Sequence, residues 1–110
     1  MSHGVPESDW KVFRELREVA LERLCERILD EVATVISNSS RTHHERFGEL
    51  FGLIRDRNHD IARGFDGPKR SAMLAQLSVN YSLDLLKPSD MARFSAETRE
   101  SVESLANLRR

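Results

Sequence analysis

The chain has 110 residues, 39% of them hydrophobic and 32% charged, which suits one globular domain and excludes both a two-domain protein and a disordered chain. Its formal net charge is −1, and its acidic and basic residues are spread along the whole sequence, so no basic tail is offered to nucleic acid or anionic lipid. Glycine and proline are sparse, at five and three residues, which favours helices.

The cysteine content and the first residues predict a cellular location. A single cysteine, Cys25, excludes an internal disulfide framework. The first seven residues lack the apolar core of a signal peptide, and no run is long enough to span a membrane. A reducing cytoplasmic location is therefore expected, without membrane insertion.

Helix 1 is predicted over about 9–36. Residues 1–7 are expected to form a loose leader and residues 8–110 a single helical domain, with Ser8 as the N-cap. Apolar residues recur in steps of three and four from Trp10 to Ile36 with no glycine or proline between them, so the helix should be unbroken. The polar stretch 37–40 ends it.

The rest of the chain predicts two more main helices and a short C-terminal one. Thr42 and Glu45 form a capping box that starts helix 2. Helix 3 is predicted over about 68–86 and is broken at Lys87-Pro88-Ser89; a short helical turn leads from Met91 toward Phe94, and Ser95 caps a last helix. Helix 2 is expected to bury six apolar side chains, those of Phe47, Leu50, Phe51, Ile54, Ile61 and Phe65. The predicted fold is all-α: a small bundle with an unusually long first helix.

The length of helix 1 suggests a partner. At 1.5 Å per residue it spans about 42 Å, whereas a compact domain of this size is about 35 Å wide. Either helix 1 bends or another chain covers its excess apolar stripe, and a second copy is the simplest partner. In an antiparallel pair of helices 1, basic side chains could reach Asp30 and Glu31 of the other chain. The predicted interface comprises Trp10, Phe13, Arg14, Arg17, Leu21, Leu24 and Ile28.

Two other patterns are candidates for a nucleic-acid contact and for a cation site. Lys69 and Arg70 follow a glycine-rich turn at the predicted start of helix 3, where a helix-turn-helix protein contacts DNA, but neighbouring carboxylates dilute the charge. His43 and His44 with Glu45 resemble a cation-binding tripeptide, yet further histidine and carboxylate ligands are missing, which favours a solvated helical turn.

His59 and Cys25 are the two candidates for enzymatic chemistry. His59 with Asp56 and Asp60 could form a base with an orienting carboxylate, but these residues are expected on the solvated face of helix 2. Cys25 is expected to be a buried or half-buried structural thiol rather than a nucleophile or redox sensor. No pattern predicts an enzyme, a cofactor or a metal.

Some strings of the sequence resemble a group of small, uncharacterised helical proteins from proteobacteria. The resemblance covers most of the chain and implies one helical domain, with no activity or ligand to transfer. It is carried by Ser8-Asp9-Trp10, Phe13-Arg14, Ala20-Leu21-Glu22-Arg23, Cys25-Glu26-Arg27, His44-Glu45-Arg46-Phe47 and Arg93-Phe94-Ser95.

The sequence leaves two candidate functions. The favoured one is a non-enzymatic protein that acts by protein–protein association, as a homodimer or with another protein. The alternative is a regulator that binds nucleic acid through Lys69 and Arg70.

Overall fold

A computed structural model describes residues 4–108, and every regular element in that range is helical. This confirms the predicted all-α fold with a long first helix. No helix in the described range is both long and apolar enough to cross a membrane. The elements are α1 (Glu7–Ser37), α2 (His43–Phe65), a 3₁₀ turn (Arg70–Ala72), α3 (Met73–Ser82), α4 (Pro88–Met91) and α5 (Ala96–Asn107).

Helix α1 is continuous, as predicted, but it begins at Glu7, two residues earlier than a Ser8 cap requires. The Trp10 N–H donates to the Pro6 carbonyl at 3.0 Å, so Ser8 lies inside the first turn. Pro6 is the N-cap, with φ of −57°, which is close to the value that its ring fixes. Val5 packs against the core, so the packed part of the chain starts before residue 8. Residues 1–3 of the predicted leader lie outside the described residues.

Helix α2 runs back along the outer half of α1 and forms a hairpin with it. The predicted capping box is present: the Glu45 N–H donates to Thr42 Oγ1 at 3.0 Å, and the Thr42 N–H donates to Glu45 Oε1 at 2.9 Å. Across the hairpin, Arg46 donates to the Ile36 carbonyl at 2.6 Å. The turn between α1 and α2 is therefore fixed by local bonds on both sides.

The first half of α1 packs against α3, α4 and α5 and forms the base of the molecule. α1 contributes one buried residue per turn there, at the spacing of an amphipathic helix. One buried cluster consists of Phe13, Leu16, Met73, Leu77, Met91, Phe94 and Val102. A second, nearer the hairpin, consists of Ala20, Leu24, Ile28, Phe65 and Leu85. Together these clusters are the core.

The third helix is shorter than predicted. Instead of one helix over 68–86, a 3₁₀ turn precedes α3, which ends at Ser82. Asp84 then adopts a left-handed conformation with φ of 59°, which aspartate tolerates better than most residues. Arg27 donates to the Leu83 carbonyl at 2.6 Å, and Arg23 donates to the Leu85 carbonyl at 2.8 Å. Two arginines of α1 thus hold the segment that follows the early end of α3 by binding its carbonyl groups.

The molecule is elongated, with dimensions of 59 × 23 × 23 Å. Its radius of gyration is 16.6 Å, against about 13 Å for a compact chain of this length. No residue from 29 to 63 is buried, so the outer part of the hairpin has no core of its own. The prediction that α2 buries Phe47, Phe51 and Ile54 was therefore wrong: these three side chains are exposed.

Candidate association surface

The exposed apolar side chains concentrate on the hairpin. Seven large apolar side chains are exposed in the described range, and five of them lie on the outer part of α1 and on α2. Their exposed fractions range from 47% to 67%. We call this set the hairpin face: Leu29, Ile36, Phe47, Phe51 and Ile54.

Helix geometry places the hairpin face on one side of the hairpin. The opposite side is marked by a groove lined by Glu31, Thr34 and Val35 of α1 and by Glu49 and Leu53 of α2. At 100° per residue, Leu29 and Ile36 lie about 140–160° around α1 from Thr34, and Phe47 and Ile54 lie about as far around α2 from Glu49. Because Thr34 and Glu49 line the groove, all four side chains lie on the side of the hairpin away from it.

The surface of the hairpin face is shallow. The aromatic rings of Phe47 and Phe51 border a depression of about 320 Å³. Its other lining residues are Leu50, Ile54, Arg55 and Asn58. An apolar patch that is wide rather than deep is typical of protein–protein contact, because a small ligand would need a pocket that encloses most of its surface.

A network of ion pairs centred on Arg57 of α2 reaches α1 and holds the hairpin together. Arg57 donates to Glu31 of α1 at 3.0 Å and to Asp60 at 2.9 Å, and Arg63 also donates to Asp60 at 2.7 Å. The hydrogen bond that Arg57 donates to Glu31 raises the pKa of Arg57 above its usual value. Asp60 is only 13% exposed and lies between two arginines, so the expectation that it sits on the solvated face beside His59 was wrong.

Most of the predicted interface residues lie within the fold of the single chain. Phe13, Leu24 and Ile28 are buried in the core. Trp10 and Leu21 are half-buried, and the Trp10 ring stacks on Phe13 with centroids 5.5 Å apart. These five side chains therefore offer little surface to a second copy.

The charged members of the predicted interface differ in their availability. Arg17 donates to the Phe65 carbonyl at 2.6 Å, while Arg14 is exposed on a groove of about 540 Å³ that Trp10 and Pro68 also line. Glu31, proposed from the sequence as an acceptor for a partner's arginine, is already bound by Arg57 of its own chain. The predicted charge pairing between chains thus loses one of its two acceptors, while Asp30 remains exposed.

The residues of the nucleic-acid alternative are exposed next to the base. Lys69 precedes the 3₁₀ turn, and Arg70 begins it. Arg70 forms an ion pair with Glu7, and its guanidinium lies 5.7 Å from the centre of the Trp10 ring. One of the two candidate cations is therefore held by α1 of its own chain, which reduces its reach toward a phosphate.

The histidine and cysteine candidates show no further assembly of ligands. In residues 4–108, no three histidine, cysteine, aspartate or glutamate side chains come together as a metal site. Glu45 serves the helix cap: the Thr42 N–H and the nearby Arg41 charge lower the pKa of its carboxyl group. Cys25 is free and half-buried, which confirms the prediction made for that thiol.

Asp9 is a structural residue that the sequence analysis missed. Only 2% of it is exposed, and it receives the Ser95 N–H at 2.9 Å, the Ser95 hydroxyl at 2.7 Å and the Thr98 hydroxyl at 2.6 Å. Burial alone would raise the pKa of Asp9, but the bonds from Thr98 and Ser95 outweigh it and lower the pKa. Asp9 thereby ties the start of α1 to the start of α5. No local pattern signals a contact between residues this far apart in sequence.

The fold and its surfaces define an all-α protein with a core at one end and an exposed apolar hairpin at the other. Comparison with models of protein families, with curated proteins and with solved structures finds no match. The function is therefore argued from the hairpin face itself.

Proposed function

We propose that this chain is a non-enzymatic protein of the reducing cytoplasm that acts by association and forms a homodimer through the hairpin face. One observation carries the proposal: a single face of the hairpin exposes five large apolar side chains, and the stretch 29–63 contains no buried residue. Two helices alone cannot enclose a core, whereas four helices can. A second hairpin would supply the missing two.

The area of the hairpin face is close to what an interface requires. At the exposed fractions given above, its five side chains expose roughly 600 Å², since a large aromatic side chain contributes 150–250 Å² when fully covered. A standard interface buries about 800 Å² per partner. Neighbouring side chains such as Leu50 and the stem of Arg55 would supply the remainder.

The composition of the face supports a second copy as the partner. Phe47 and Phe51 lie one helical turn apart, and aromatic residues are enriched at the centres of interfaces. A homodimer needs a patch that is complementary to itself, and a flat apolar patch without charge at its centre meets that condition. This proposal keeps the homodimer predicted from the sequence but moves its interface from the core side of α1 to the hairpin face.

Sedimentation of point variants tests the proposal. The native chain should sediment at about 25 kDa at micromolar concentration, twice the 12.6 kDa of one chain. Phe51→Glu should give a folded monomer, because it places a charge at the centre of the contact. Leu108→Glu is the matched control, since Leu108 is also an exposed apolar residue but lies outside the hairpin. A native chain that stays monomeric at high concentration, or Leu108→Glu acting like Phe51→Glu, would overturn the proposal.

The nucleic-acid alternative has a separate measurement. A protein that neutralises phosphates through Lys69 and Arg70 binds heparin or DNA with an affinity that falls steeply with salt. The ion pair of Arg70 with Glu7 argues against that activity. Salt-dependent DNA binding that Lys69→Ala weakens would favour the alternative over the homodimer.

A further inference from the structure

We propose that the two hairpins of the homodimer pack antiparallel. The turn 38–42 of each copy, which we call the tip, then lies against α1 of its partner near Cys25. This inference rests on the proposed function, and it specifies the partner of the hairpin face as a second copy in one orientation. In that orientation α1 packs on α1 and α2 on α2, with the tips pointing in opposite directions. The alternative is a parallel dimer in which the two tips meet.

The register follows from the position of the apolar residues. Leu29 and Ile36 bracket the exposed apolar part of α1, so the symmetry axis passes near Ala33. Helix α1 ends at Ser37, about 6 Å from Ala33 by helical rise, and Arg41 lies in the turn beyond that end. In an antiparallel dimer, this turn faces the part of the partner's α1 that lies beyond Leu29 toward Cys25, the same distance on the other side of the axis. Glu22 and Glu26 flank Cys25 within one helical turn.

Charge complementarity favours the antiparallel orientation. Arg41 is exposed, and although its charge acts on the nearby Glu45, it forms no salt bridge with any other residue of the described range 4–108. Glu22 and Glu26 are likewise exposed and, within the same described range, unpaired. An antiparallel dimer places the cation of one tip beside these carboxylates twice, once at each end. A parallel dimer instead places Arg41 beside its own copy, and like charges repel.

The orientation can be measured by cross-linking. In a Cys25→Ser background, a short bismaleimide should link Ala33→Cys dimers, because residue 33 faces its own copy across the axis. It should not link Ser40→Cys dimers, whose tips lie far apart. The opposite pattern, with Ser40→Cys linked and Ala33→Cys not, identifies a parallel dimer and overturns this inference while the homodimer stands. A native chain that sediments as a monomer overturns both.

Charge exchange gives an independent test. Arg41→Glu and Glu22→Arg should each weaken the dimer by about threefold to thirtyfold, since an exposed contact of modest strength is lost at both ends. The double variant should restore the native dissociation constant to within about threefold, because the pair is only inverted. Glu100→Arg, an exposed acidic position on α5, is the control and should leave dimerisation unchanged. Additive losses in the double variant would contradict the antiparallel contact.

Discussion

Asp9 gives the sharpest prediction about the stability of the base. Replacing it with alanine removes three hydrogen bonds to a buried carboxylate and leaves the Ser95 N–H without its acceptor. Each bond to a charged group contributes about 1.5–3 kcal/mol, but the Ser95 and Thr98 hydroxyls can turn toward other acceptors, so the free energy of unfolding should fall by about 2–4 kcal/mol. Asp9→Asn keeps one acceptor oxygen and should cost about 1–2 kcal/mol.

Urea denaturation at one fixed protein concentration measures these changes. With a slope near 1.5 kcal/mol per M, Asp9→Ala should lower the midpoint by about 2 M at unchanged slope. Glu18→Ala, an exposed change on the same helix, is the control and should shift the free energy by less than about 0.5 kcal/mol. If Asp9→Ala matched this control, the buried bonds to Ser95 and Thr98 would not stabilise the fold.

The contribution of Asp9 to the free energy of unfolding should also depend on pH. The pKa of Asp9 in the folded chain lies below its ordinary value of 3.8. The ionised carboxylate therefore stabilises the folded state more than the protonated acid does. Its contribution is fully present above about pH 5 and is lost as the pH falls through the folded pKa. The difference in stability between the native chain and Asp9→Asn should therefore be greatest near neutral pH and shrink in acid. A difference that grows in acid would refute the assignment.

Three further variants probe local features. Thr42→Ala should lower the free energy of unfolding by about 0.5–2 kcal/mol through loss of the cap shared with Glu45, and an unchanged denaturation midpoint would contradict it. Gly64→Ala should lower the free energy of unfolding by about 1 kcal/mol, because the new Cβ would lie 2.8 Å from the Asn80 side-chain oxygen and this clash outweighs the gain in helix propensity. In an Asn80→Ala background the loss should vanish. A stabilising effect of Gly64→Ala in the native background would refute the clash. Cys25→Ala should leave the protein folded, at a cost of about 1–2 kcal/mol, whereas alkylation of Cys25 at pH 7 much faster than that of a free thiol would indicate an activated group.

Local signals in this sequence predicted the helices well. The bond pair between Thr42 and Glu45 joins residues three apart, so the sequence contains everything needed to predict the start of α2. Ser95 caps α5 in the same local way, by accepting the Thr98 N–H at 3.3 Å. The absence of helix-breaking residues likewise sufficed to predict an unbroken α1.

The side chains of the hairpin face show that local signals do not predict which apolar residues are buried. Helical periodicity identifies a stripe of apolar residues, but it does not say whether the same chain covers the stripe. Phe51 and Phe65 both fit the stripe of α2, yet Phe65 is buried by the base and Phe51 is 63% exposed. Which of them is covered depends on where α3–α5 pack, and that is decided by contacts across many residues. The early end of α3 is similar, since arginines of α1 stabilise it from more than fifty residues away.

The tie between Asp9 and α5 has a consequence for how the chain is synthesised. Phe13 and Leu16 emerge first from the ribosome, but the core cluster that buries them also contains Phe94 and Val102, which emerge almost last. Until then the first half of α1 exposes its apolar side, the kind of surface that makes incomplete chains aggregate. The residues of the hairpin end at 65 and are therefore synthesised well before the core is complete. A released chain truncated near residue 70 would thus carry the apolar residues of the hairpin face without a folded base.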